Sequence, residues 1–371
     1  MKIITLSIDP KLFEEGSPVS RRFAGYGTLF DELHAVVYTK PGHAPRQLAS
    51  NVRIYPTNTS WRPLYPLNAW PILRSIFRTG GEFTVTSQEG ITHLLGAIAK
   101  VVYGARLNLD VHTDFLSPYF RRESCKNFFR YLAYRASLYV ADSVRVVSKR
   151  LQDEIRVRYP RLGGSITVLP IRVDATQLLE AGKETVPRQG GILSVLMLSR
   201  LEREKNVPLA LEAFARVAKE VPEARLIIVG SGTLLEELKA RSETLGISGL
   251  VSFEGWQDDT VRYLREADVF LQASNYEGYG MSLIEAAAAG CPVVTTDVGI
   301  AGDVLIHNES ALVAPVGDGA ALARELSRLL RDPGLRLSLA ARGREAVKAH
   351  LMSEAAYAAA YQRLLDPGQV F

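Results

Sequence analysis

Apolar residues along this chain gather into short continuous runs separated by longer amphipathic stretches. Runs of strand length fall at 2–8, 34–39, 52–57, 83–87, 106–112, 143–148 and 165–170 in the first half, and at 194–199, 225–230, 251–255, 269–274, 292–296 and 311–315 in the second. Helical periods lie between them, notably at 18–33, 91–103, 119–140 and 148–158, then at 208–220, 233–245, 258–267, 282–289, 319–331 and 335–350. A strand that is apolar throughout must be covered on both faces, so this alternation predicts parallel sheets in doubly wound α/β domains. The stretch EAGKETVPRQGG (180–191) is polar, glycine-rich and without an apolar period, and predicts a linker. The expectation is two Rossmann-like domains facing across a cleft, divided at 184/185, with ligands at the carboxyl ends of the strands.

Composition narrows this picture. A chain of 371 residues suits two domains, and 47 % apolar with 23 % charged residues supplies two ordinary cores. Two cysteines, Cys125 and Cys291, make neither a disulfide framework nor a metal site and point to a reducing compartment. The opening MKIITLSIDP is of strand length and lacks the features of a signal peptide, and no apolar run approaches spanning length. A soluble, cytoplasmic protein is expected.

Charge is unevenly placed. Residues 1–185 carry 25 Lys and Arg against 16 Asp and Glu, whereas the remainder is net acidic. Much of the excess lies in 119–161, where Arg and Lys alternate with Phe and Tyr. Three readings are open: an amphipathic helix packing Phe128, Phe129 and Leu132 inward with a solvated basic face, an anionic membrane surface, or nucleic acid. Nucleic acid leaves the chemistry of the second half unexplained.

That chemistry sits after the strands. Arg200 and Lys205 follow 194–199 and suit a diphosphate, although Glu202, Arg203 and Glu204 between them also fit a solvated loop. Gly230 and Gly232 follow 225–230, where missing side chains let backbone amides approach a phosphate or sugar. After 269–274 comes NYEGYGMSLIE (275–285). Its glycines expose amides before a helix N-terminus, an anion site by geometry and dipole. A carboxylate beside such a site repels phosphate, but its two oxygens suit a diol. Glu277 and Glu285 thus match the transferred sugar and the ribose of a sugar nucleotide. Ser282 with Glu285 also fits a capping box, with Ser282 as the helix N-cap. In the first half His112 ends 106–112, flanked by Asp110 and Asp114, and Gly16 lies in the turn after the first strand.

The stretches LSRLEREKN (198–206), IIVGSG (227–232), VSFEGW (251–256) and ASNYEGYGMSLIEAAAAGCPVVTTDVG (273–299) resemble the family 4 retaining glycosyltransferases of the GT-B fold. The resemblance implies that Arg200 and Lys205 bind the donor pyrophosphate. It implies that Glu285 holds the ribose, that Glu277 contacts the sugar, and that the amides of Gly278, Tyr279, Gly280, Met281 and Ser282 face the diphosphate. It places His112 near the donor sugar and Gly255 beside the nucleobase, while the turn after the first strand offers the Gly16 amide to the donor phosphate. It implies that a terminal helix within about 352–371 rejoins the N-terminal domain. Departures are Asn206 and Ile171-Arg172, where glycine and Asn-Gly are usual, and the missing Gly-Gly pair near Gly16.

The resulting expectation is a retaining glycosyltransferase that moves a hexosyl group from a UDP- or GDP-linked sugar to a glycan, lipid-linked or small-molecule acceptor. No cofactor is expected, and no metal, since no Asp-x-Asp signature appears. The alternatives are a sugar-nucleotide 2-epimerase on the same fold and a catalytically silent nucleotide-sugar-binding subunit.

Overall fold

The structure is a computed structural model that describes residues 1–180 and 191–366. The expected linker and the 184/185 boundary lie largely outside those residues. The chain divides into two compact units, the first comprising 1–116, 124–170 and 353–371, the second 117–123 and 171–352.

In the first unit the apolar runs become β1 (Lys2–Ser7), β2 (Glu32–Val37), β4 (Val52–Pro56), β5 (Phe83–Ser87), β6 (Arg106–Val111), β7 (Ser143–Val146) and β8 (Ile166–Val168), joined by a short β3 (Arg46–Ala49). The sheet order is β3-β4-β2-β1-β5-β6-β7-β8. All pairings are parallel except β3 with β4, an antiparallel edge hairpin absent from the sequence reading. Its residues RQLA are half polar and only partly buried, so no apolar run marks it. The helices are α1 (Pro18–Gly25), α2 (Tyr65–Phe77), α3 (Gly90–Tyr103), α4 (Pro118–Glu123), α5 (Cys125–Leu138) and α6 (Lys149–Arg158), with α4 belonging to the second unit.

Three expectations are corrected here. The helix predicted over 18–33 ends at Gly25, because β2 begins at Glu32. The helix predicted over 119–140 breaks at Ser124, whose hydroxyl caps the start of α5 by accepting from the Asn127 amide at 3.1 Å. Phe128, Phe129 and Leu132 do not pack inward: α5 buries Asn127, Ala133, Tyr134, Ser137 and Leu138 instead, leaving those three exposed.

The second unit contains α7 (Thr176–Glu180), then β9 (Leu193–Leu198), α8 (Val207–Val217), β10 (Ala224–Val229), α9 (Leu235–Thr244), β11 (Val251–Gly255), α10 (Val261–Glu266), β12 (Val269–Gln272), α11 (Met281–Ala288), β13 (Val293–Thr296), β14 (Leu312–Ala314), α12 (Gly319–Arg331) and α13 (Pro333–His350). Its sheet is parallel throughout, in the order β11-β10-β9-β12-β13-β14. Val195, Leu226 and Leu271 on the strands pack with Leu211 and Phe214 of α8 and Leu326 of α12 in one core. The last helix, α14 (Glu354–Leu365), returns to the first unit, where Gln362 donates to the Leu29 carbonyl at 3.0 Å.

Candidate active site

From β9 the second unit's chain winds outward to β10 and β11, then crosses to β12 on the other side of β9. The topological switch point therefore lies between β9 and β12, where the loops leaving their carboxyl ends diverge. Arg200 and Lys205 lie on the first of these loops, and Glu277 to Gly280 on the second.

The two loops are stitched together. The Asn275 amide donates to the Glu204 carbonyl at 2.8 Å, and Asn206 Nδ2 donates to Asn275 Oδ1 at 2.9 Å. Asn206 is left-handed, with φ 45° and ψ 44°, and leads directly into α8. This accounts for the residue where the resembled family usually has glycine: asparagine tolerates that conformation better than other side chains. Lys205 Nζ donates to Glu277 Oε1, which also accepts from Ser274 Oγ at 2.8 Å. Both members of the Lys205–Glu277 pair are largely sheltered. Arg200 is mostly exposed and donates to Glu204 Oε1 at 2.7 Å. The geometry thus brings Lys205 and Glu277 together and leaves Arg200 at the rim.

Gly280 has φ 91° and is the N-cap of α11, which begins at Met281. Ser282 is therefore not the N-cap, and the capping-box reading of Ser282 and Glu285 is overturned. The Ser282 hydroxyl instead donates to Gln272 Oε1 on β12 at 2.9 Å. The amides of Met281 and Ser282 donate to no protein acceptor among the described residues, as the first turn of a helix allows. Glu285, one turn along, is half-buried, its carboxylate has no hydrogen-bond partner among the described residues, and burial pushes its pKa up. A desolvated carboxylate without a partner is costly in a merely structural role, and such groups concentrate at functional sites. Tyr279 is buried, and burial raises its hydroxyl pKa.

The glycines have structural reasons of their own. A Cβ on Gly230 would lie 1.9 Å from the Ser199 carbonyl oxygen, and one on Gly232 would lie 2.4 Å from that of Leu201. Their loop lies flat against the loop carrying Arg200. Gly255, with φ 70°, accepts from the Gly230 amide at 2.8 Å. Sequence reasoning singled out neither Asn206 nor Ser274 nor Gly299 as site residues. A Cβ on Gly299 would lie 2.2 Å from the Tyr279 carbonyl oxygen, so that glycine holds the Glu277–Gly280 turn in place. Its signal is present in the sequence as the DVG closing the run at 273–299.

In the first unit, His112 immediately follows β6. Asp110 and Arg145 are register neighbours on β6 and β7, both buried, with the guanidinium 3.9 Å from the carboxylate. Thr86 and Asn108 donate to the Asp110 carboxylate at 3.2 and 3.0 Å. Arg145 also donates to the Leu169 and Pro170 carbonyls and, at 2.8 Å, to the Tyr357 hydroxyl on α14. Its Nη1 reaches His112 Nε2 at 3.5 Å. Burial first, then the Arg145 charge, pushes the His112 pKa down to about 3, so the imidazole is neutral at physiological pH. Gly16, with φ 68°, forms the turn before α1, whose N-cap is Ser17. Among the described residues no group of three or more His, Cys, Asp or Glu could hold a metal ion.

Residues 183–346 match the family model described as Glycosyl transferases group 1. The match covers less than half of the chain. The matched stretch includes the switch-point loops with Arg200, Lys205, Glu277 and the start of α11. Over 161 residues the chain is 34 % identical to the lipopolysaccharide core biosynthesis glycosyltransferase LpsE of Rhizobium meliloti, covering 43 % of this chain and 46 % of that one. The chain spans about half the length, or less, of the curated relatives it matches. Sucrose-phosphate synthase from Thermosynechococcus elongatus superposes with a TM-score of 0.75 over 98 % of each chain at 20 % identity. HepE of Anabaena, in complex with UDP, does so with a TM-score of 0.73 over 98 % of this chain and 99 % of its own, at 17 % identity. With two parallel-sheet Rossmann-like units, the chain has the GT-B fold.

Proposed function

We propose that the chain is a retaining glycosyltransferase that moves a hexosyl group from a UDP- or GDP-linked sugar to a saccharide or lipid-linked acceptor, without a metal ion or other cofactor. The observation that carries this reading is the group at the β9–β12 switch point: a Lys205–Glu277 pair beside two helix amides and a Glu285 carboxylate that have no partner among the described residues. The match to the glycosyl transferases group 1 family and a structural neighbour bound to UDP support it.

In this reading Arg200, Lys205 and the amides of Gly278 to Ser282 hold the diphosphate. Gly230, Gly232 and Gly255 let the backbone approach the nucleotide, with Gly16 beside the phosphate. Glu285 accepts from the ribose diol, and Glu277, which now balances Lys205, accepts from hydroxyls of the sugar. His112 is a neutral hydrogen-bonding group for the sugar. The acceptor oxygen forms the new bond to the anomeric carbon on the face the diphosphate leaves. The diphosphate departs with the bonding pair and takes the acceptor proton on its own oxygen. Two fixed cations and a helix N-terminus stabilise the charge that develops there.

LpsE is named for the lipopolysaccharide core, a saccharide borne on lipid, which supports an acceptor of that type. The reading sets the reaction in the cytoplasm or on the cytoplasmic face of a membrane. Among the described residues no helix is long and apolar enough to cross one.

Calorimetry and thermal melting with UDP, GDP and ADP test the reading on wild type and Glu285→Ala. Ligand at 100 times its Kd should stabilise the wild type by about 2.7 kcal/mol. The variant should bind about 10- to 100-fold more weakly, as expected on losing a charged hydrogen bond. No nucleotide binding, or equal binding by the variant, would remove the donor site from this switch point.

A further inference from the structure

Three helices of the first unit form one layer with an unusual outer surface: α3 packs against α2 on one side and α5 on the other. Across the 13 residues of α2, the 14 of α3 and the 14 of α5 there is no aspartate or glutamate. The inward face of α3 buries Thr92, His93, Leu95, Gly96 and Ala99, with Gly96 close against Leu107 and Val85 of the sheet. Its outward stripe is Ile91, Leu94, Ile98, Val101 and Val102, all exposed, with Val101 at 75 %. On α5 the outward residues are Phe128, Phe129 and Leu132, with Phe129 at 67 %, and on α2 Leu67 is equally exposed.

Cations flank this apolar strip. Arg74 lies on the exposed stripe that Leu67 and Pro71 begin, and Arg78 follows at the end of α2. Lys126 and Arg135 are exposed on α5. Two acids beside these helices are occupied internally: Glu89, which precedes α3, pairs with Arg130, and Asp142, which follows α5, pairs with Lys100.

We infer that the outer face of α2, α3 and α5 is a docking surface for an anionic lipid bilayer. Apolar side chains enter the boundary between headgroups and acyl chains while the flanking cations meet the headgroup phosphates. An acid-free face with cations on both sides is a poor match for a second copy of itself, because a two-fold contact would set like charges against each other. The surface differs from the basic stretch 119–161 read in the sequence, because it leaves out α4 and takes in α2 and α3. It does not depend on the transfer reaction.

The test is co-sedimentation of the full chain with vesicles of phosphatidylglycerol in phosphatidylcholine and with phosphatidylcholine alone. Retention is expected on the anionic vesicles and should weaken as salt rises. Two double variants divide the surface into its parts: Ile98→Ser with Phe129→Ser, and Arg74→Glu with Lys126→Glu. All four positions are exposed, so melting curves should match the wild type. Each removed cation should lower affinity about fivefold on anionic vesicles. The serine variant should lose retention at any salt. Equal retention on both vesicle types, or unchanged retention in both variants, overturns the inference. So does a concentration-dependent dimer that the serine variant abolishes, which would assign the face to self-association.

Discussion

The carboxyl ends of the two parallel sheets carry similar residue types in opposite states. In the first unit Asp110 on β6 and Arg145 on β7 form a closed pair, with His112 just after β6 at its edge. Both charges are buried, and the guanidinium is saturated by two carbonyls, a tyrosine and the carboxylate. After β9 and β12 in the second unit, Arg200 stands at the rim, and among the described residues the Glu285 carboxylate lacks a partner and two helix amides are unengaged. The difference teaches where charge maintains the fold and where it is available to a ligand. A buried pair completed by its own protein leaves little for a substrate, whereas a half-desolvated group without a partner is stabilised only when one arrives.

The largest effect should come from the closed side. Arg145→Ala strands the Asp110 carboxylate in the core and unhooks Tyr357 of α14, and is expected to cost about 3–5 kcal/mol in denaturant unfolding. A loss under 1 kcal/mol would mean that the cluster is not what secures α14. The open side should respond in the other observable. Arg200→Ala or Glu277→Ala is expected to lower turnover about 10²- to 10³-fold, the size seen when one preorganised electrostatic group is removed. Melting temperature should stay near wild type for Arg200→Ala, since the side chain is exposed. If Arg200→Ala unfolds the protein or retains full turnover, the contrast between the two regions fails.

The smallest effect is in pH. His93 is fully buried, its Nδ1 is 2.6 Å from Ser87 Oγ, and burial pushes its pKa down to about 3. The unfolded chain takes up this proton below about 6.5 while the folded chain does not. Stability from this group is therefore complete above pH 6.5 and falls as pH drops toward 3, by at most about 1.4 kcal/mol per unit. His112 acts in the same direction. His93→Gln should flatten the decline between pH 6.5 and 5 in urea titrations. An unchanged slope would show that the histidine is protonated in the fold.

Much of this was legible beforehand. Every apolar run read as a strand is one, because strands buried on both faces must be apolar along their length. The edge strand β3 and the proline-bearing α2 escaped, since neither has an apolar run or a helix-favouring composition and both depend on neighbours. At the site, residue types and their place after strands sufficed to bring forward Arg200, Lys205, Glu277 and Glu285. The cap assignment of Ser282 failed because its hydroxyl has a partner on β12, which local spacing cannot reveal. Gly230 and Gly232 were read for a ligand, and the fold requires them anyway for the approach of the neighbouring loop.

What the sequence alone determined is the period: which segments are covered on both faces, in what order, and which polar residues follow them. Only the tertiary structure decided which of those polar residues meet. Arg145 and Asp110 are 35 positions apart and Lys205 and Glu277 are 72 apart, and each pair exists because parallel strands set their carboxyl ends side by side. Tertiary structure likewise decided which face of α5 is buried. Its aromatics are apolar enough for a core, but α3 offers α5 a different stripe, so Phe128 and Phe129 face outward. Periodicity names a face, and only the neighbour across from it determines whether that face is used.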